Sequence, residues 1–184
     1  MEGIALGIIC VVAIVLFIAC FCVLVSNDVN RAIVKIDESK SGIEIQLKRR
    51  YDILTQSLEI AKGYMKHEEK IFTNLRSVNS GMGISEINEA LENQSKCSKE
   101  LFALAEEYPE LRSEELFSNL QNQLSEENAQ LSASKRAFNA NVTRLNMIVV
   151  SFPSSVVCSM KGQKEMEFIH EENLDDIKEV ELKF

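Results

Sequence analysis

Residues 27–78 read NDVNRAIVKIDESKSGIEIQLKRRYDILTQSLEIAKGYMKHEEKIFTNLRSV, and this stretch, which contains no proline, decides the fold. Apolar or small residues recur at Val29, Ile33, Ile36, Ile43, Leu47, Tyr51, Leu54, Leu58, Ala61, Met65, Phe72 and Leu75, mostly three or four apart. That spacing draws one helical stripe close to a heptad seam. Such a stripe cannot stay in water, so the helix must pack on other helices of the chain or of a second copy. If straight, it reaches on the order of 75 Å at 1.5 Å per residue. Two polar islands interrupt it, Gln46-Leu47-Lys48-Arg49-Arg50-Tyr51-Asp52 and Lys62-Gly63-Tyr64-Met65-Lys66-His67-Glu68.

Upstream, Gly3 to Val25 carries no charge. A helix of that length crosses a hydrocarbon core of roughly 30 Å, so residues 3–25 are expected to form a transmembrane anchor. A cleaved signal peptide would have a basic start and a small-residue cleavage site, and neither is present. Phe17-Ile18-Ala19-Cys20 only loosely resembles a lipobox, because no basic residue precedes it. Arg31, Lys35 and Lys40 follow the segment and Glu2 precedes it. The positive-inside rule then leaves the N-terminus outside and the body in the cytoplasm. In that topology the sequons at Asn93 and Asn141 are idle.

Downstream, Asn79-Ser80-Gly81-Met82-Gly83 reads as a turn whose two glycines are free to take positive φ. A second helix is expected over 84–107, with Ile87, Leu91, Cys97, Leu101, Leu104 and Tyr108 inward, ending before Pro109. Ser113-Glu114-Glu115 suits the start of a third helix over 113–152. Its stripe is Phe117, Leu120, Leu124, Leu131, Phe138, Val142, Leu145, Val149 and Phe152. A short helix over 154–160 and an acidic tail over 163–184 complete the chain, the tail packing on or near the bundle. The predicted class is all-α: an N-terminal transmembrane helix followed by an elongated antiparallel bundle of three to four long helices within 27–162. The second and third helices span roughly 36 Å and 58 Å, too short to shadow the whole first stripe. Its membrane-proximal part therefore needs cover from the C-terminal segment, lipid or another subunit. Self-association through Val29, Ile33 and Ile36 is the expectation.

Composition narrows the chemistry. The 184 residues include 7 Gly, 2 Pro and no Trp, which suits long helices rather than a turn-rich β fold. A net charge of −8 argues against nucleic acid as a partner, since phosphate binding needs a surplus of Lys and Arg. Three of the five cysteines lie in the apolar segment, and Cys97 and Cys158 are isolated, so neither a zinc site nor a disulfide framework is indicated. Glu167-Phe168-Ile169-His170 is half of a di-iron E-x-x-H pair, and no second half exists. His67-Glu68-Glu69 lacks the second histidine of H-E-x-x-H. With no phosphate loop or nucleophile elbow either, no cofactor, metal or catalytic set is expected. Lys48-Arg49-Arg50 lies roughly 35 Å of helix beyond the apolar segment, far outside the ~8 Å Debye length. Lipid contact there would require a bend near Ser26-Asn27-Asp28. A solvated face or a partner-binding patch is the simpler reading. Asn128, Asn139 and Asn146 are positioned to hydrogen-bond Gln46 or Arg50 across the bundle, by default for register.

Ile43-Glu44-Ile45-Gln46-Leu47-Lys48-Arg49-Arg50-Tyr51-Asp52, Lys62-Gly63-Tyr64 with His67-Glu68, Tyr108-Pro109-Glu110-Leu111, Phe117 with Leu120-Gln121, Phe138-Asn139, Asn146 and Phe152-Pro153-Ser154 together resemble the LemA family. Ile53-Leu54-Thr55-Gln56 departs from the Leu-Ile-Pro-Asn usual there, and Lys40, Phe138 and Leu145 replace aromatic residues common in that family. The resemblance implies a bacterial inner-membrane protein with one span, a cytoplasmic helical bundle and no established enzymatic activity. Two functions follow as expectations. One is a non-enzymatic scaffold or adaptor, binding itself or an unidentified protein partner. The other is a sensor taking a small ligand or peptide between helices. In either, Gln46, Lys48, Arg49, Arg50 and Asp52 are the candidate binding residues.

Overall fold

The computed structural model describes residues 2–64, 75 and 78–170. These residues are 85% helical with no strand among them, so the all-α expectation holds. Five helices follow in order: α1 (Glu2–Lys62), α2 (Ile84–Glu107), α3 (Pro109–Ser113), α4 (Glu115–Val150) and α5 (Ser154–Met160).

The anchor segment and the first amphipathic stretch are one helix, with no break at Ser26-Asn27-Asp28. Along its start the apolar side chains from Ile4 to Leu24 are exposed almost without exception, which makes this part of α1 long and apolar enough to cross a membrane. Further on it buries Val25, Val29, Ala32, Ile36, Ile43, Leu47, Ile53, Leu54, Leu58 and Ala61, the predicted seam with small shifts of register. The helix ends at Lys62, short of the expected Val78. Gly63 and Tyr64 donate their amides back to Ile60 and Ala61 at 3.1 and 3.0 Å, tightening the last turn into i,i+3 geometry. The island residues 65–68, and Phe72 of the stripe, lie outside the described residues.

The turn before α2 uses its glycines differently. Gly81 takes φ +85°, whereas Gly83 is extended at φ −69° and caps α2. The Gly83 amide donates to Glu86 Oε2 at 2.7 Å, and the Gly81 amide donates to the Glu44 carboxylate at 3.2 Å, which fastens the turn to α1. α2 runs Ile84–Glu107, the extent read from the sequence. Pro109 does not open a plain loop. It sits at the first position of the short helix α3, where its missing N–H costs nothing. Ser113 therefore closes α3, its hydroxyl donating to the Glu110 carbonyl, and α4 starts at Glu115 instead. A cis peptide bond joins Phe152 to Pro153, between α4 and α5.

The described chain divides into two compact units. The first contains residues 2–38 and 139–167, and buries Val25, Val29, Ala32 and Ile36 of α1 with Val142, Leu145, Val157 and Cys158. Its extended segment after α5 is held by Asn146, which donates to the Met166 carbonyl (2.9 Å) and accepts from the Met166 amide (2.8 Å). The second unit contains residues 39–138 and 168–170. Its core joins Ile53, Leu54, Leu58 and Ala61 of α1, Cys97, Leu101, Leu104 and Ala105 of α2, Leu111 of α3, and Phe117, Leu120 and Leu124 of α4. Tyr64 closes one end of it by donating its hydroxyl to Glu114 Oε2 at 3.0 Å. That hydrogen bond, more than burial, holds the Tyr64 phenol above its usual range.

Candidate functional site

The island from Gln46 to Asp52 occupies two turns of α1 in the second unit, and helical geometry sends its side chains to different neighbours. Leu47 is fully buried and sets the inward direction. Gln46 and Arg49 flank it on the α4 side: Gln46 Nε2 donates to Gln130 Oε1 at 3.2 Å, and the Arg49 guanidinium lies 3.8 Å from Glu127. Arg50 turns to α2, where Nη2 donates to Ser95 Oγ at 3.2 Å, and the residue is only 4% exposed. Gln94 returns the contact from α2 by donating to the Leu47 carbonyl at 2.9 Å. Lys48 and Asp52 point to solvent. Of the five candidate residues, three enter a polar layer between helices and two do not.

Polar groups withdrawn from water cost free energy unless paired. In this layer Gln46 Oε1, Gln94 Oε1 and Glu127 Oε2 are buried without a hydrogen-bond partner, one on each of α1, α2 and α4. The Arg49–Glu127 ion pair is half open to water, so it contributes little on its own. Cys97 lies near Arg50 and is buried. Burial, with a smaller push from Glu100, raises its thiol from 9.0 to about 11 against the opposing pull of Arg50. It stays protonated at neutral pH and is no activated nucleophile.

Of the asparagines on α4, Asn146 plays another part than that expected and holds the backbone at Met166, while Gln46 donates to Gln130 and Arg50 to Ser95. Gln94, Ser95 and Ser98, all buried, were missed by the sequence reading. The signal for them is the gap in the α2 stripe between Leu91 and Cys97, since positions 94, 95 and 98 continue the helical spacing with polar residues. His170 donates its amide to Asn88 Oδ1 at 3.1 Å, and among the described residues no group of three or more His, Cys, Asp or Glu could hold a metal ion. A cleft at the start of α2, lined by Ser80, Gly81, Glu86 and Asn93 among others, includes none of the candidate residues.

The residues expected to mediate self-association sit in the first unit. Val29 and Ile36 are 4% and 1% exposed and Ile33 is half-buried. Val29 and Ile36 pack within a unit that also contains residues 139–167, while Ile33 keeps part of its surface open.

A family model described as the LemA family matches residues 39–184. The match leaves out the apolar start of α1. No curated protein matches the chain.

Proposed function

We propose, for a chain that belongs to the LemA family, a non-enzymatic scaffold held at a bacterial inner membrane by the start of α1, with its helical body in the cytoplasm. The LemA family is not a known enzyme family. The observation that carries the proposal is α1 itself: one helix presents bare apolar side chains from Ile4 to Leu24, then contributes the core residues of the body. Hydrocarbon is the environment in which the first part costs nothing. Arg31, Lys35 and Lys40 beyond the segment favour a cytoplasmic body. The body presents Lys48, the half-exposed Arg49 and Asp52 to partner proteins or to copies of itself. Crosslinking of native membranes followed by mass spectrometry tests this. A stoichiometric protein partner or a self-crosslink is the expected result, and recovery of neither overturns the scaffold reading.

The three partnerless oxygens at Gln46, Gln94 and Glu127 favour a second reading, a sensor whose ligand brings hydrogen-bond donors between the helices. Such a ligand raises the melting temperature of the wild-type body and not of the Gln94→Met variant. No shift with any fraction of a cell extract counts against it.

A further inference from the structure

The bend between α4 and α5 carries an apolar surface that the first unit leaves uncovered. The two helices meet at 93°. Around that elbow Met147, Val150, Phe152, Val156 and Met160 are exposed, Phe152 by 84% and Met160 by 82%. Their neighbours Val157 and Cys158 are buried, so α5 has an inner face that packs and an outer face that does not. Two long apolar side chains almost fully in water are unfavourable unless something covers them.

The position of the elbow along α1 identifies the cover. In the second unit α1 and α4 run antiparallel, since Gln46 meets Gln130 and Arg49 meets Glu127, and each helix continues unbroken into the first unit. In the first unit Asn141 donates to the Lys35 carbonyl at 3.2 Å. From Asn141 to the end of α4 at Val150 is nine residues, and nine residues back along α1 from Lys35 is Ser26. Both steps cover about 14 Å at 1.5 Å per residue. The elbow is therefore level with Ser26-Asn27-Asp28, the first polar residues after the uncharged segment. On the proposed function this is the depth of the lipid headgroups on the side of the body. Arg31, which lies 4.0 Å from Asp28, and Arg144 are exposed within about 9 Å of that level along their helices, and the exposed Lys161 and Lys164 follow α5, which begins there; cations in such positions meet lipid phosphate.

We propose that the α4–α5 elbow is a second membrane contact, which seats Phe152, Val156 and Met160 in the interfacial layer of the bilayer beside the point where α1 leaves it. The proposal rests on the reading of the start of α1 as a membrane span. A segment with an apolar outer face and cationic neighbours binds at such an interface by apolar burial together with attraction to anionic lipid.

The chain contains no tryptophan, so a single Trp reports one position. Four variants of the full chain serve: Phe152→Trp, Met160→Trp, Phe17→Trp within the span, and Leu116→Trp on α4, about 50 Å of helix from its end. Each is reconstituted into phosphatidylcholine and phosphatidylglycerol vesicles, with and without acyl-brominated lipid, and its melting curve is compared with that of the wild type. The expected result is roughly twofold or greater quenching at positions 17 and 152, with blue-shifted emission at 152, and no quenching at 116. Met160→Trp supplies the same reading if Phe152→Trp melts abnormally. Quenching at 17 without quenching at 152 or 160 overturns the elbow contact and leaves the span intact. Loss of quenching at 17 removes the span and the elbow contact together. Blue-shifted emission at 152 that bromine leaves unquenched, and that reverts as protein is diluted into lipid, overturns the proposal in favour of a second copy.

Discussion

Gln94 is the residue at which burial and bonding disagree most. It is 1% exposed and satisfies its amide nitrogen, while its oxygen has no partner. The Leu47 carbonyl it meets lies within α1, so the hydrogen bond matters more to Gln94 than to its acceptor. Replacing such a group by an apolar one of similar shape is close to neutral or stabilising. Gln94→Met is expected to keep or raise the melting temperature, and a loss above roughly 2 kcal/mol would show that the layer depends on that amide. Cys97 gives a pH dependence. The unfolded chain releases this thiol proton near 9.0 and the folded chain near 11, so folding holds the proton more tightly. The stability this contributes is complete below pH 9 and is lost as pH rises through about 11. The melting-temperature difference between wild type and Cys97→Ala, followed across that window, should shift against the wild type. That Gln46, Arg49 and Arg50 bring polar groups to an apolar seam was legible from their spacing beside Leu47. Their partners Gln130, Glu127 and Ser95 were not, since sequence does not state which turn of one helix faces which turn of another.

At the scale of elements, helical periodicity carried most of what could be read, and the errors fall at helix ends. The stripe from Val29 to Ala61 was visible because burial follows spacing. The stop at Lys62 was overlooked because Gly63 looked like one more helical residue inside a long pattern, although glycine there lowers helix propensity by about 1 kcal/mol. Pro109 was read as a terminator when it is also a good first residue, which is how α3 was missed. Two substitutions test the packing of elements. Phe117 is fully buried where α4 meets the core of the second unit, and Phe117→Ala is expected to cost roughly 3–5 kcal/mol in chemical denaturation. Asn146→Ala removes both hydrogen bonds to Met166, at a local cost of about 1–3 kcal/mol. Hydrogen exchange should then show the Met166 amide losing protection while the amides of α2 keep theirs.

The chain taken whole combines a helix start long and apolar enough to cross a membrane with a helical body of the LemA family, the first readable from its lack of charge and the second from the order of its short motifs. What covers the start of the amphipathic seam was not legible, because the answer lies more than a hundred residues away in Val142, Leu145 and Val157. Membrane fractionation tests the span. Val12→Lys with Leu16→Lys places two charges at its centre at about 2.5–3.5 kcal/mol each, and the double variant should move to the soluble fraction or be degraded. Each unit is assembled from two stretches that the ribosome delivers far apart in time. Lys35 and Asn141 are separated by 106 residues, on the order of ten seconds of synthesis. During that interval Val25, Val29, Ala32 and Ile36 have nothing to cover them, and a chain that stalls before Asn139 never covers them. Such an unfinished chain is the form that a chaperone or protease meets with its adhesive stripe bare.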